Sequence, residues 1–196
     1  MVSELWLIRH GETEWSLTGA HTGRTDLPLT ARGQQRAALI GCYLRGRLFS
    51  LVLASPLERA RETCRLAGYG NVARMDPDLQ EWDYGAYEGC TTADIRKDAP
   101  DWSLWESGVP GGETISQVAE RARRVIACAE GAGGSVALFA HGHILRVLTA
   151  CWLGLPAATG RLFALGTASL SVLGYERETK VISSWNRCFS EDADGG

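Results

Sequence analysis

At 196 residues, 45% hydrophobic and 22% charged, the chain is long enough for one α/β domain with a full core and too short for two ordinary ones. A net charge of −3 excludes the overall basic footprint of a nucleic-acid binder, so a bound anion has to be met by a local cluster of Arg. No apolar run reaches membrane-spanning length and no signal peptide opens the chain, which points to a cytoplasmic protein without membrane or nucleic-acid partners.

Leu5–Ile8 is an apolar run that reads as a buried strand, and Arg9-His10-Gly11 follows it without a break. Residues 11–29 read as a loop, and a loop of that length in a compact domain usually carries function. Thr30 has the character of an N-cap, opening an amphipathic helix to about Leu48. Leu51–Ala54 is a second buried strand. Ser55-Pro56 then starts a helix over Leu57–Leu66, with Pro where its missing N–H costs little. Gly68 and Gly70 end that helix, and Val72–Met75 is a short strand candidate.

Residues 76–112 are the least regular: an acidic and aromatic loop over Leu79–Gly89, a short helix capped at Thr91 or Thr92, and a turn at Pro110-Gly111-Gly112. Glu113–Glu130 has helical apolar periodicity, Val136–Ala140 is a third continuous apolar strand, and Ile144–Leu153 is a helix. Ala168–Gly174 and Lys180–Trp185 form a closing hairpin, and the acidic tail from Ser190 is expected to fray. The six cysteines are widely spaced with no C-x-x-C, which suits reduced, mostly buried thiols. No internal repeat or linker divides residues 1–196, which are expected to form a single domain; the oligomeric state is open, a homodimer included.

Continuous apolar strands alternating with helices predict an α/β three-layer sandwich, with a mostly parallel central sheet flanked by helices. Ligands bind outside the carboxyl ends of strands in such sheets. The first strand ends in Arg9-His10-Gly11. The second ends in Ser55-Pro56, with Arg59 and Arg61 one turn into the next helix. The third ends in His141-Gly142-His143. Three separate strands therefore present His or Arg at one sheet edge.

A phosphate monoester is a dianion, and the planar fork of Arg matches its oxygens, so Arg9 and Arg59 suit a phosphate clamp. Gly11 and Gly142 let the backbone approach, and helix N-termini supply N–H groups. A neutral imidazole attacks without first losing a proton, so His10 suits a nucleophile that becomes a phosphohistidine, with His141 stabilising the transferring charge. The leaving alkoxide needs a proton. Glu81, whose neighbouring rings favour the neutral acid, is the best candidate, with Asp83 and Glu88 as rivals. Arg61 reads as a surface or helix-pairing residue, and Trp82 and Trp105 are candidate pocket walls. His141-x-His143 also fits a metal pair at strand spacing, but no third ligand accompanies it and Arg neighbours repel a cation. The expectation is chemistry with no metal and no cofactor.

With these residues in place the chain resembles the histidine phosphatase superfamily, in its phosphoglycerate-mutase-like branch. The motifs that carry the resemblance are Arg9-His10-Gly11-Glu12-Thr13, Thr22-Gly23, Asp26-Leu27-Pro28-Leu29-Thr30, Ser55-Pro56-Leu57-Glu58-Arg59-Ala60, the Glu81 loop ending in Glu88-Gly89, Gly112-Glu113 and His141-Gly142. It implies a core of Arg9, His10, Arg59 and His141, with Glu81 chosen over its rivals as proton donor. It also brings Ser16, Thr22, Gly23, Tyr84 and Gly142 to the substrate. Cofactor-dependent mutases of the branch usually carry Asn in place of Ser16, and a longer, more basic insertion between the Glu loop and the Gly-Glu turn. Here Glu81 and Glu113 are 32 positions apart, with only Arg96 and Lys97 as cations between them. The segment looks closer to small bacterial acid phosphatases and sugar-bisphosphatases, so the expected activity is hydrolysis of a small phosphorylated metabolite. A mutase is the alternative, and a non-catalytic phospho-ligand binder the second.

Overall fold

The computed structural model describes residues 2–189, and the tail expected to fray from Ser190 lies outside them. Strands β1 (Val2–Arg9), β2 (Leu51–Ala54), β3 (Arg74–Met75), β4 (Gly134–Ala140), β5 (Ser169–Glu176) and β6 (Thr179–Cys188) form one sheet in the order β3-β2-β4-β1-β5-β6. The ladders joining β3, β2, β4 and β1 are parallel. β5 runs antiparallel to β1, and β6 antiparallel to β5.

The apolar runs are continuous because both faces of the sheet are covered. Leu5 and Leu7 of β1 point to one face. There they meet Val136 and Leu138 of β4 and the apolar sides of α6 (Ile115–Ala132) and α7 (Gly142–Trp152). Trp6 and Ile8 point to the other, against Ala137 and Phe139, α2 (Ala31–Leu44) and α3 (Glu58–Leu66). Leu7 and Leu138 are fully buried. Truncating a leucine so placed to Ala costs about 2–5 kcal/mol. Among the described residues, no helix is long and apolar enough to cross a membrane.

The element boundaries differ from expectation where local signals were weak. Residues 11–29 contain a short helix, α1 (Glu14–Thr18). Thr13 and Ser16 close it with a capping box: Ser16 N–H donates to Thr13 Oγ1 at 3.2 Å, and Thr13 N–H to Ser16 Oγ at 2.9 Å. Helix α2 stops at Leu44, short of Leu48, whose side chain is exposed and gives a longer helix nothing to pack on. Thr114 caps α6, so Glu113 lies just outside the helix. The irregular stretch after β3 holds α4 (Thr92–Asp98) and α5 (Leu104–Ser107), with single 3₁₀ turns at Pro77–Leu79 and Gly85–Tyr87; a third, Ala157–Leu162, follows α7.

Candidate active site

β4 lies between β1 and β2, so the carboxyl ends of these three strands are neighbours. Backbone bonding continues past them. His10 N–H donates to Ala140 O at 2.9 Å, and Ser55 N–H to Phe139 O at 2.9 Å. His10 and His141 are thereby brought side by side, with ring centroids 5.1 Å apart. Gly11 lies directly against Gly33 of α2: a Cβ on Gly11 would meet Gly33 O at 2.5 Å, and one on Gly33 would collide with Glu12 O.

The Nδ1 of His10 is 2.7 Å from Gly11 O, so Nδ1–H donates to that carbonyl and Nε2 carries the lone pair. Burial, reinforced by the charges of Arg9 and Arg59, holds the His10 pKa well below the usual histidine value. The ring is therefore neutral at pH 7. Arg9 donates to Leu165 O, and among the described residues its buried Nε has no partner. Gly142 lets the backbone of α7 pass the Arg9 guanidinium, since a Cβ there would be 3.3 Å from Arg9 Cζ.

Arg59 is completely buried. Its fork, expected to clamp phosphate, is directed instead at the protein. Nη1 donates to Thr25 O at 2.9 Å, and Nη2 to Thr22 O at 3.1 Å and Gly23 O at 2.9 Å. Nε donates to His141 Nδ1 at 3.1 Å. That bond places the His141 proton on Nε2, which donates to Ser55 Oγ at 2.7 Å. Burial and the Arg59 charge keep His141 neutral as well. The 22–25 loop is held from the opposite side by Glu88, whose Oε1 accepts from Gly23 N–H at 2.8 Å and Thr25 N–H at 3.1 Å. Asp26 Oδ1 accepts the Glu58 N–H at 2.7 Å and so satisfies the start of α3, which has no side-chain cap of its own. Arg61, on the same helix, is exposed.

Glu81 is buried at the N-terminus of α7. Its Oε1 accepts from Ile144 N–H at 2.9 Å and Trp82 N–H at 3.0 Å, and its Oε2 from His143 N–H at 3.0 Å. The immediate surroundings of the carboxyl are thus backbone donors rather than the expected aromatic rings. The same bonds take up helix N–H groups expected to face phosphate. The loop carrying Glu81 is pinned by an ion pair between buried Arg121 and half-buried Glu113. Arg121 meets Glu113 through two bonds of 2.7 Å, and its Nη1 donates to Asp78 O and Gln80 O at 2.8 Å. Asp83, one of the two rivals, accepts the Gly85 N–H at 3.0 Å within its own turn.

One cavity of about 170 Å³ opens at this edge. Of the candidate site residues, Arg9, His10, Ser16, Thr22, Glu81, Tyr84 and Gly142 line it. Arg59, His141 and Gly23 do not; they stand behind the wall and are joined to one another by the Arg59 bonds. The hydroxyl of Ser16 is already engaged, donating to Thr13 O at 2.8 Å. Trp82 and Trp105 are not wall residues either; their rings pack 6.4 and 5.4 Å from that of His143, one layer out. The rings of His141 and His143, weighed as a metal pair, turn to different partners, His143 Nδ1 lying 2.6 Å from Tyr84 Oη.

The family model of the histidine phosphatase superfamily (branch 1) matches residues 5–187. The chain belongs to this family. An acid phosphatase of Mycobacterium tuberculosis is 41% identical over 91% of this chain and 90% of its own length. A sedoheptulose 1,7-bisphosphatase of Saccharomyces cerevisiae is 36% identical over 76% of this chain and 67% of its own. The solved structure of the open reading frame Rv3214 from Mycobacterium tuberculosis superposes with a TM-score of 0.90 at 39% identity, over 95% of this chain and 98% of that one.

Some residues of this histidine phosphatase site escaped the sequence reading. His21 lines the cavity with its ring 4.8 Å from that of Tyr84, so all four histidines of the chain gather here. Thr13, Gly19, Ala20, His143, Arg146 and Leu165 complete the wall. Arg121 left one readable signal, a charge on the buried side of α6 between Val118 and Ala122. His21 left none, since it sits in a loop without periodicity.

Proposed function

We propose that the chain hydrolyses small phosphomonoesters through a phosphohistidine on His10. The observation that carries this is a neutral His10 with Nδ1 tied to Gly11 O, beside Arg9 with its buried, unpartnered Nε, in one cavity. Nε2 of His10 attacks phosphorus as the bond to the ester oxygen breaks. Arg9 meets the phosphoryl oxygens, Glu81 gives the departing alkoxide a proton through Oε2, and water then displaces phosphate from His10. Arg59 acts from behind: its charge adds to burial and to Arg9 in keeping His10 neutral, and its Nε fixes the orientation of His141. Ser16, Thr22, Tyr84 and Gly142 shape the ground around the ester, and Gly23 supports it from behind by accepting from Arg59. Named phosphatase relatives support hydrolysis over isomerisation, and unpaired cysteines suit a reducing cytoplasm.

The test is rapid denaturing quench of the protein with a ³²P-labelled phosphomonoester. Label retained in alkali and lost in acid, absent from His10→Ala, supports the reading. Full turnover by His10→Ala overturns it. Interconversion of phosphoglycerate isomers dependent on a bisphosphate primer, with no phosphate released, identifies a mutase instead.

A further inference from the structure

Arg9, which meets the phosphoryl oxygens in the reaction just described, is held by one bond. Among the described residues its guanidinium donates to Leu165 O alone, and its Nε is buried without a partner. Whatever aims that carbonyl therefore aims the guanidinium. Leu165 lies on the 163–168 connection leading into β5, and it also lines the cavity.

The N–H of the same peptide unit belongs to Gly166, and it donates to Asn186 Oδ1 at 2.7 Å. A trans peptide is planar, with its C=O and N–H on opposite sides, so holding the N–H sets the direction of the carbonyl. The neighbouring units are fastened too. Trp185 Nε1 donates to Ala164 O at 2.6 Å, Ser169 Oγ to Gly166 O at 2.6 Å, and Ala168 N–H to His10 O at 2.9 Å. A bulge in β6 places Asn186 for this contact. Between the pairs Leu170–Arg187 and Val172–Ser184, Ser171 alone stands opposite Trp185 and Asn186. Asn186 takes a φ of +54°, in the left-handed region that Asn enters more readily than most residues, and its N–H donates to Ser171 Oγ at 2.9 Å.

We propose that Asn186 is a positioning residue for the phosphoryl site: through the Leu165–Gly166 peptide it sets where the Arg9 guanidinium stands. The inference rests on the phosphatase reading above, which gives Arg9 the phosphoryl oxygens. It makes β6, separated from β1 by β5, a part of the anion site.

The test measures binding of inorganic phosphate by calorimetry, with kcat and KM for 4-nitrophenyl phosphate, on the full chain. Asn186→Gly keeps the left-handed backbone accessible and removes the amide. It is expected to weaken phosphate binding about three- to tenfold and to raise KM more than it lowers kcat. Asn186→Asp keeps an acceptor oxygen in the same place and is expected to recover most of the loss. Ser169→Ala frees the next carbonyl, Gly166 O, and controls for general loosening of the connection. It is expected to lower the urea midpoint while phosphate affinity stays within about twofold of the unmodified chain. In an Arg9→Met background, Asn186→Gly is expected to have no further effect on phosphate binding. Unchanged phosphate affinity in Asn186→Gly, no recovery in Asn186→Asp, or an equal loss in Ser169→Ala or with Arg9 removed overturns the inference. Should Asn186→Gly not fold, Asn186→Ser takes its place, because its oxygen sits one bond closer to the backbone and falls short of Gly166 N–H. Failure of the phosphatase reading looks different: Arg9→Met alone then binds phosphate and turns over substrate like the unmodified chain, and the inference falls with it.

Discussion

The two sides of the site are built on different terms. The inner side, His10, His141 and Arg59, stands on strand ends and the first turn of α3, and almost every polar atom in it is bonded to another part of the protein. The outer side, His21, Tyr84, His143 and Arg146, stands on loops and the flank of α7, with donors and rings turned to the cavity. An inner side bonded in this way holds a reacting group in one geometry, which a chemical step needs. An outer side built from loops can change its lining without disturbing the sheet, which substrate choice needs. The same fold can thus keep one reaction and vary its substrate.

The comparison breaks most severely at Arg59. Arg59→Met leaves the carbonyls of Thr22, Gly23 and Thr25 and the Nδ1 of His141 without their donor. At about 1–3 kcal/mol for each buried group left unpaired, stability falls by roughly 4 kcal/mol or more, and turnover falls with it. Urea denaturation alongside phosphate release measures both, and unchanged stability would show that the inner side is not bonded as described.

Glu113→Gln comes next. It breaks the half-buried bidentate pair with Arg121, at about 1.5–3 kcal/mol, and loosens the loop that carries Glu81. The check is a drop in both urea midpoint and kcat; a drop in the midpoint alone would separate this pair from the chemistry.

Lowering pH probes the inner side without mutation. In the folded state burial holds His10 and His141 neutral, whereas in the unfolded chain they protonate near the ordinary histidine value of about 6.5. Below that pH the unfolded state takes up more protons, so stability falls as pH falls, until the folded-state pKa values are reached. The slope approaches about 1.4 kcal/mol per pH unit for each ring well below 6.5 and is half that at 6.5, so moving from pH 6.5 to 5.5 removes about 2 kcal/mol for the two rings. Unfolding free energies across that range test it, and a flat profile would mean the two rings are not buried neutral. Activity is expected to hold at mildly acidic pH because His10 stays unprotonated. A pH–rate profile that collapses through 6.5, measured where the protein is still folded, would contradict that.

The smallest effect belongs to the outer side. Tyr84→Phe removes the 2.6 Å contact with His143 Nδ1 at about 1 kcal/mol, with a shift in KM rather than loss of kcat. A large fall in kcat would move Tyr84 into the chemistry.

The same division governs what could be read beforehand. The strands were legible because Leu5–Ile8 and Val136–Ala140 are buried on both faces, and the apolar runs stop where the sheet does. His10 and His141 were legible because they follow those runs directly. The placement of Arg59 was harder. Its residue type suggested a clamp, but only the folded chain shows that the 22–25 loop crosses its fork. Arg146 and Gly160 meet through a turn whose packing no local period encodes. Helix α1 was missed because its five residues are too few to show a period, although the Thr13 cap was present to be seen.

Gly11 and Gly33, set face to face beneath the nucleophile, constrain how this chain can change. A side chain on either would run into the backbone of the other's segment, so neither position can be substituted first and compensated later by altering its neighbour. Single replacements in either order pass through a displaced His10 segment, which leaves the contact between α2 and the end of β1 as a fixed point around which the rest of the sequence is free to drift.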